Sequence, residues 1–243
     1  MIRPAIGILM LDTTFPRIPG DVGNPATFSF PVIYRVVKGA SPRRVVEETD
    51  PRLLDPFIQA GRDLQKAGVK AIATSCGFLA LFQRELADAL SVPVFSSSLL
   101  QVPLVRAILP SDRAVGIITA RKASLTARHL AGVGVENEGL VIAGMEGAEE
   151  LSAVFFGGKS TIDVEKVRGE MVDLSLNLVR SRPEVGAIVL ECANMPPYAR
   201  DVRRATGLPV FDVATLLEQA CAALTDPRRW DADPSIQPAS RGR

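Results

Sequence analysis

Short apolar runs alternate with longer stretches of helical period along most of the chain. Residues 5–11 are apolar between Pro4 and Asp12, the pattern of a strand buried on both faces of a parallel sheet. Residues 12–31, DTTFPRIPGDVGNPATFSFP, are rich in Pro, Gly, Thr and Asp and cannot hold regular structure for long. A loop of that size inside a compact fold is commonly a lid or a binding loop. A weak strand pattern covers 32–37. Asp50-Pro51 then offers a cap with proline at the first helical position, and Leu53, Leu54, Phe57, Ile58 and Leu64 recur on one face until Gly68, predicting a helix. Further strands are predicted at 69–74, 92–95, 114–119, 140–143 and from 185. Further helices are predicted at 78–90, 99–109, 121–130, 146–156, 161–179 and 214–224. Residues beyond 225 lack an apolar period, and 229–243 are expected to form an extended or disordered tail.

The chain repeats itself. Residues 71–95, AIATSCGFLALFQRELADALSVPVF, align without a gap on 187–211, AIVLECANMPPYARDVRRATGLPVF, with eight of 25 positions identical. Cys76 falls on Cys192, and Pro93-Val94-Phe95 falls on Pro209-Val210-Phe211. AVGIIT at 114–119 echoes AIGIL at 5–9 in the same way. Strands alternating with helices imply parallel sheets covered on both faces. Their duplication implies an α/β fold of two similar, pseudo-twofold-related domains, each a parallel sheet flanked by helices, with a site in the cleft between them. The expected division is 1–110 plus 209–228 for the first domain and 111–208 for the second.

Composition narrows the chemistry more than the architecture. Lys plus Arg total 28 against 27 Asp plus Glu, so no positive excess recommends nucleic acid or an anionic membrane. No run reaches the length of a spanning helix, and the first apolar run is too short for a secretory signal. A cytoplasmic protein with reduced thiols and a small-molecule partner is expected. One histidine, His129, and three cysteines without a CxxC pair argue against zinc. His129 lies mid-helix between Arg128 and Leu130, away from any nucleophile motif, and is expected at the surface or its boundary. Gly7 and Gly116 stand alone in strands, so no dinucleotide fingerprint is present and no cofactor is expected.

Cys76 and Cys192 each follow a strand at the sheet end where ligands of such folds bind. A thiol there faces a helix N-terminus and free backbone N–H groups, which favours thiolate. Gly77 lets the backbone approach a ligand at the first turn, and Asn194 with Pro196-Pro197 suits a helix start at the second. Two such turns facing each other suit two-base proton transfer at carbon. Burial as small inert hydrophobes is the plain alternative for either thiol. Cys221, between Ala220 and Ala222, fits packing.

The turns T-S-C-G-F at 74–78 and E-C-A-N-M-P at 191–196, on a duplicated α/β scaffold, resemble the aspartate/glutamate/hydantoin racemase superfamily over nearly the whole chain. The resemblance implies cofactor-independent chemistry with Cys76 and Cys192 as acid and base. It also implies a substrate carboxylate held by groups of Thr74, Ser75, Gly77, Phe78, Ala193 and Asn194. Amino-acid racemases of this group usually follow the first cysteine with Asn-Thr and the second with Thr-Glu, where this chain has Gly77-Phe78 and Ala193-Asn194. The C-G-F turn and S-S-L-L-Q at 97–101 are closer to the dimethylsulfoniopropionate lyase branch. Retention of both cysteines departs from the decarboxylase branch.

Asp12 and Thr13 beyond the first strand, and Thr119 at the matching place of the second half, are expected to reach the substrate. Arg17, in the proline-rich loop, could pair with a carboxylate, although a solvated side chain is the favoured reading, and Glu191 is read as a structural anchor pointing away from Cys192. The leading expectation is a homo-oligomeric racemase or epimerase of a small carboxylate. A lyase using the same first proton abstraction and a two-lobed binding protein are the alternatives.

Overall fold

A computed structural model of the chain describes residues 5–136 and 138–225; the expected tail lies outside them. The first half runs β1 (Ile6–Leu11), β2 (Val32–Val37), α1 (Leu54–Lys66), β3 (Ala71–Thr74), α2 (Gln83–Ala89), β4 (Val94–Phe95) and α3 (Val102–Ile108). The second runs β5 (Ala114–Thr119), α4 (Ala127–Gly132), β6 (Leu140–Gly144), α5 (Glu149–Phe155), α6 (Val164–Ser181), β7 (Val185–Leu190), α7 (Ala199–Thr206), β8 (Val210–Phe211) and α8 (Val213–Leu224). Each half forms a four-stranded parallel sheet, ordered β2-β1-β3-β4 and β6-β5-β7-β8. The duplication predicted from 71–95 and 187–211 is thus a duplication of sheet topology.

The central strands are apolar throughout because both faces are covered: every residue of β1, β3, β5 and β7 is buried. Helix α1 lays Phe57, Ala60, Gly61 and Leu64 on the first sheet, at roughly 1.5–3 kcal/mol for each large apolar side chain buried. Matched glycines let the covering helices come close. A Cβ on Gly7 would lie 2.9 Å from Leu64 of α1, and one on Gly116 would lie 3.2 Å from Leu178 of α6.

The halves also exchange helices. Helix α3, which follows the first sheet, lies against β5. Helix α8, which follows the second, places Val213, Leu217 and Cys221 on Ile6, Ile8, Ala71 and Ala73. Residues 210–211 pair with β7, so the chain returns to the first half at α8. Asp212 starts that helix as a capping box, accepting from the Thr215 amide at 2.8 Å while Thr215 Oγ1 accepts from the Asp212 amide at 2.9 Å.

Three predicted helices differ at their starts. The segment after Cys76 begins as a 3-10 helix, Gly77–Phe82, and Ser98–Gln101 and Lys122–Ser124 do likewise. Each follows a strand closely, and the tighter helix turns the chain within a few residues. Because the strands of each sheet are parallel, the loops beyond β1 and β3 leave the carboxyl end of the first sheet and those beyond β5 and β7 the carboxyl end of the second.

Candidate active site

The two cysteine turns and the long loop after β1 enclose one cleft. Cys76 sits in extended conformation (φ −149°, ψ 118°) immediately before the 3-10 helix Gly77–Phe82. Its turn is braced from behind: the Ser75 amide donates to the Leu9 carbonyl at 2.9 Å, and Ser75 Oγ accepts from the Leu11 amide at 2.9 Å. Thr74 Oγ1 donates to the Ser96 carbonyl at 2.6 Å. Thr74 therefore holds the turn and does not line the cleft, whereas Ser75, Gly77 and Phe78 do.

Cys192 enters from the second half. Its thiol donates to Asn194 Oδ1 across 3.7 Å, and Asn194 Nδ2 donates to Asp21 Oδ2 at 2.7 Å. Asp21, 3% exposed, also accepts from Arg17 Nη1 at 3.1 Å and from the Gly23 amide at 2.7 Å. Arg17 Nη2 donates to Thr13 Oγ1 at 2.8 Å, and its guanidinium lies 4.2 Å from the centre of the Phe15 ring. The proline-rich loop is thus functional in placement, reaching from the first half to fix the amide beside the second cysteine. Arg17 is correspondingly not a solvated side chain; it is 15% exposed and lines the cleft.

Glu191 lies on the inner wall. Its amide donates to the Ile118 carbonyl at 2.8 Å, and Thr119 Oγ1 donates to Oε2 at 2.8 Å. Thr119 thereby serves the carboxyl and not the cleft surface. Oε1 is buried with no hydrogen-bond partner. It rests against Gly77, where any Cβ would overlap both Oε1 and the Glu191 carbonyl oxygen. Gly77 is therefore required by the approach of Glu191 across the halves, not by a ligand.

Electrostatics here reverse the sequence expectation of easily formed thiolates. Burial, reinforced by the Glu191 charge, pushes Cys76 up to about 12, against the hydrogen bond from the Phe78 amide. Cys192 is raised well above its ordinary value by the same two causes, in the same order. Burial likewise lifts Glu191 to about 7, opposed by Thr119 and the Ala120 amide. A helix start lowers a thiol pKa only where it outweighs desolvation, and a short 3-10 helix in a closed cleft does not.

Of the other expected residues, Thr13 and Asn194 line the cleft and Ala193 does not; the Ala193 carbonyl accepts from the Val22 amide at 3.4 Å. Asp12 belongs to an outer cleft and is engaged by the Gly39 amide at 3.0 Å and by Lys38 at 3.6 Å. Phe15, Phe155 and Phe156 line both clefts and separate them, with Phe15 and Phe155 in ring contact at 5.0 Å. No motif announced these rings, because they come from two elements remote in sequence.

His129 is buried, contrary to expectation. Its Nδ1 accepts from the Thr126 amide at 3.2 Å as part of a capping box, and burial pulls it down to about 4. Among the described residues no group of three or more His, Cys, Asp or Glu is placed to hold a metal, and no helix is long and apolar enough to cross a membrane.

Comparison with known proteins adds lineage to this geometry. Residues 40–221 match the family model described as Asp/Glu/Hydantoin racemase. A dimethylsulfoniopropionate lyase of Durusdinium sp. clade D is 34% identical over 215 residues, covering 86% of this chain and 71% of that protein. Dimethylsulfoniopropionate lyase 6 of Emiliania huxleyi is 35% identical over 238 residues, covering 94% of this chain and 62% of that protein. The chain thus spans less than two thirds of the Emiliania protein. Among solved structures, allantoin racemase from Klebsiella pneumoniae superposes with a TM-score of 0.61 at 14% identity, covering 91% of this chain and 87% of that one. Unliganded arylmalonate decarboxylase does so with a TM-score of 0.57 at 19% identity, covering 91% and 92%. At those identities the structures share a fold.

Proposed function

The chain belongs to the Asp/Glu/hydantoin racemase family, and from that premise we propose that it is a cofactor-independent lyase that removes a proton from the carbon beside a carboxylate. Cys76 is the base, Cys192 the facing thiol that stays protonated, and a β-sulfonium carboxylate of the dimethylsulfoniopropionate type the substrate. The observation that carries this reading is the convergence of Cys76 and Cys192 on one cleft, from equivalent turns of the two halves. Their settings are unequal. Each thiol receives a backbone N–H, Cys76 from Phe78 and Cys192 from Asn194, but Cys192 also donates a hydrogen bond, to Asn194 Oδ1. A thiol that donates is held in its protonated form, which leaves proton removal to Cys76.

Arg17 provides the positive group for the carboxylate, and the phenylalanine walls suit the methyl groups and charge of a sulfonium. In the elimination the Cα–H proton passes to the base and its electron pair forms the Cα=Cβ bond. As that bond forms, the Cβ–S bond breaks and the neutral thioether leaves with the Cβ–S bonding pair. Relatives 31–35% identical that are named dimethylsulfoniopropionate lyases support this outcome. Racemisation is the second reading, favoured by the retention of both thiols, since the facing one could return the proton to the opposite face.

Proton NMR in deuterium oxide separates the two. Incubation with dimethylsulfoniopropionate should give new alkene signals and dimethyl sulfide. If amino acids or hydantoins instead lose their Cα–H signal while dimethylsulfoniopropionate stays intact, the lyase reading fails and the racemase reading stands.

A further inference from the structure

Among the described residues lining the cleft Glu191 is the one buried carboxyl, and one of its two oxygens has no hydrogen-bond partner. Thr119 occupies Oε2, while Oε1 is buried, unpartnered and pressed against the residue that follows Cys76. The contact is built deliberately by sequence: only glycine at 77 admits the carboxyl, and Ser98 Oγ fixes the strand end behind it by donating to the Leu190 carbonyl at 2.7 Å. An unpaired buried carboxylate oxygen costs stability, so its retention on the wall of a thiol-lined cleft points to a task. The ionisable groups facing it there are the Cys76 and Cys192 thiols, with Arg17 the cation of the same cleft; Asp21 lies beyond, paired with Arg17.

We propose that Glu191 is the proton acceptor of Cys76: as the sulfur takes the substrate Cα–H proton, the thiol's own proton passes to Oε1. The inference rests on the reading of Cys76 as the base. In the full step the Cα–H electron pair becomes the new C=C bond, the Cβ–S bond breaks, and Glu191 ends protonated and then releases its proton to solvent. No free thiolate accumulates, which accommodates two thiols whose ionisation the cleft opposes. Glu191 acts through Cys76 and is in that sense a positioning residue.

The test is the pH dependence of Cys76 alkylation by iodoacetamide in the intact protein, read by peptide mass mapping, for wild type and Glu191→Gln. If the two groups share a proton, the wild-type rate rises to about pH 7, where Glu191 ionises. It then levels off, because each thiolate formed leaves its proton on the carboxyl, and rises again only in the alkaline range. In Glu191→Gln the rise is continuous, and by about pH 9 the variant reacts on the order of tenfold faster, one pKa unit of coupling. Turnover should mirror this: the inflection near 7 vanishes in the variant and the rate falls by about 10²-fold or more. Thr119→Val, which removes the donor to Oε2, should move the wild-type inflection upward and serves if Glu191→Gln does not fold. Superimposable alkylation profiles, or unchanged turnover in Glu191→Gln, overturn the proposal. Coupled alkylation without turnover of dimethylsulfoniopropionate instead overturns the assigned reaction and leaves the shared proton intact.

Discussion

His129 gives the residue scale its clearest pH signature. Folded, it is buried and neutral, with a pKa pulled down to about 4 from an ordinary 6.5. Below pH 6.5 the unfolded chain therefore binds the proton that the folded chain refuses. Stability is lost as pH falls through that window and the loss is complete near 4, at about 3 kcal/mol. Glutamine at this third helical position can keep a capping box without the charge. Urea unfolding at pH 7 and pH 4.5 should show His129→Gln losing less stability on acidification than wild type; equal losses would contradict the buried neutral ring. The sequence misled here because Arg128 beside it suggested a solvated face, while the Thr126 to His129 spacing was not read as a cap. Cys76 and Cys192 were legible from the repeat, whereas Phe78 and Asn194 entered the site only through the family resemblance. Arg17 was legible only as one of two readings, and Asp21 and Phe15 not at all, because their roles depend on how an irregular loop crosses to the other half. Strand alternation, which points Glu191 away from Cys192, favoured an anchor over a proton carrier; that the first cysteine turn meets the carboxyl on that side is a tertiary fact.

At the scale of elements, glycines decide how closely helices and turns approach. Gly132, at the end of α4, abuts the 3-10 helix that follows Cys76, and a Cβ there would overlap the Ala80 carbonyl oxygen. Gly7 faces Leu64 near the start of β1, far along the strand from the cleft. Gly7→Ala is expected to cost about 1–3 kcal/mol by overpacking with turnover per folded molecule unchanged. Gly132→Ala must shift backbone, so it should lower both melting temperature and turnover. Paired thermal melts and rate measurements check this, and a Gly132→Ala enzyme of full activity would show that the cysteine turn does not depend on α4. The strands and their order of appearance were readable because fully buried parallel strands are continuously apolar. The 3-10 starts were not, since their apolar residues fit either helical period.

At the scale of the molecule, each half lends a helix to the other, and the loop after β1 ties the first half to the second cysteine. The site is therefore a product of the assembled pair, with one thiol from each half on the cleft wall. The duplicated sheet and the cleft were legible from the offset between 71–95 and 187–211, and the expected division already gave 209–228, and with it α8, to the first half; the contact of α3 with β5 was not foreseen, because an amphipathic helix does not state which sheet it covers. The most direct test of this account is the single-turnover rate of elimination from dimethylsulfoniopropionate by wild type, Cys76→Ser and Cys192→Ser. Loss of about 10²–10⁴-fold in Cys76→Ser, with a smaller loss in Cys192→Ser, is the expected result; wild-type rates in both variants would contradict it.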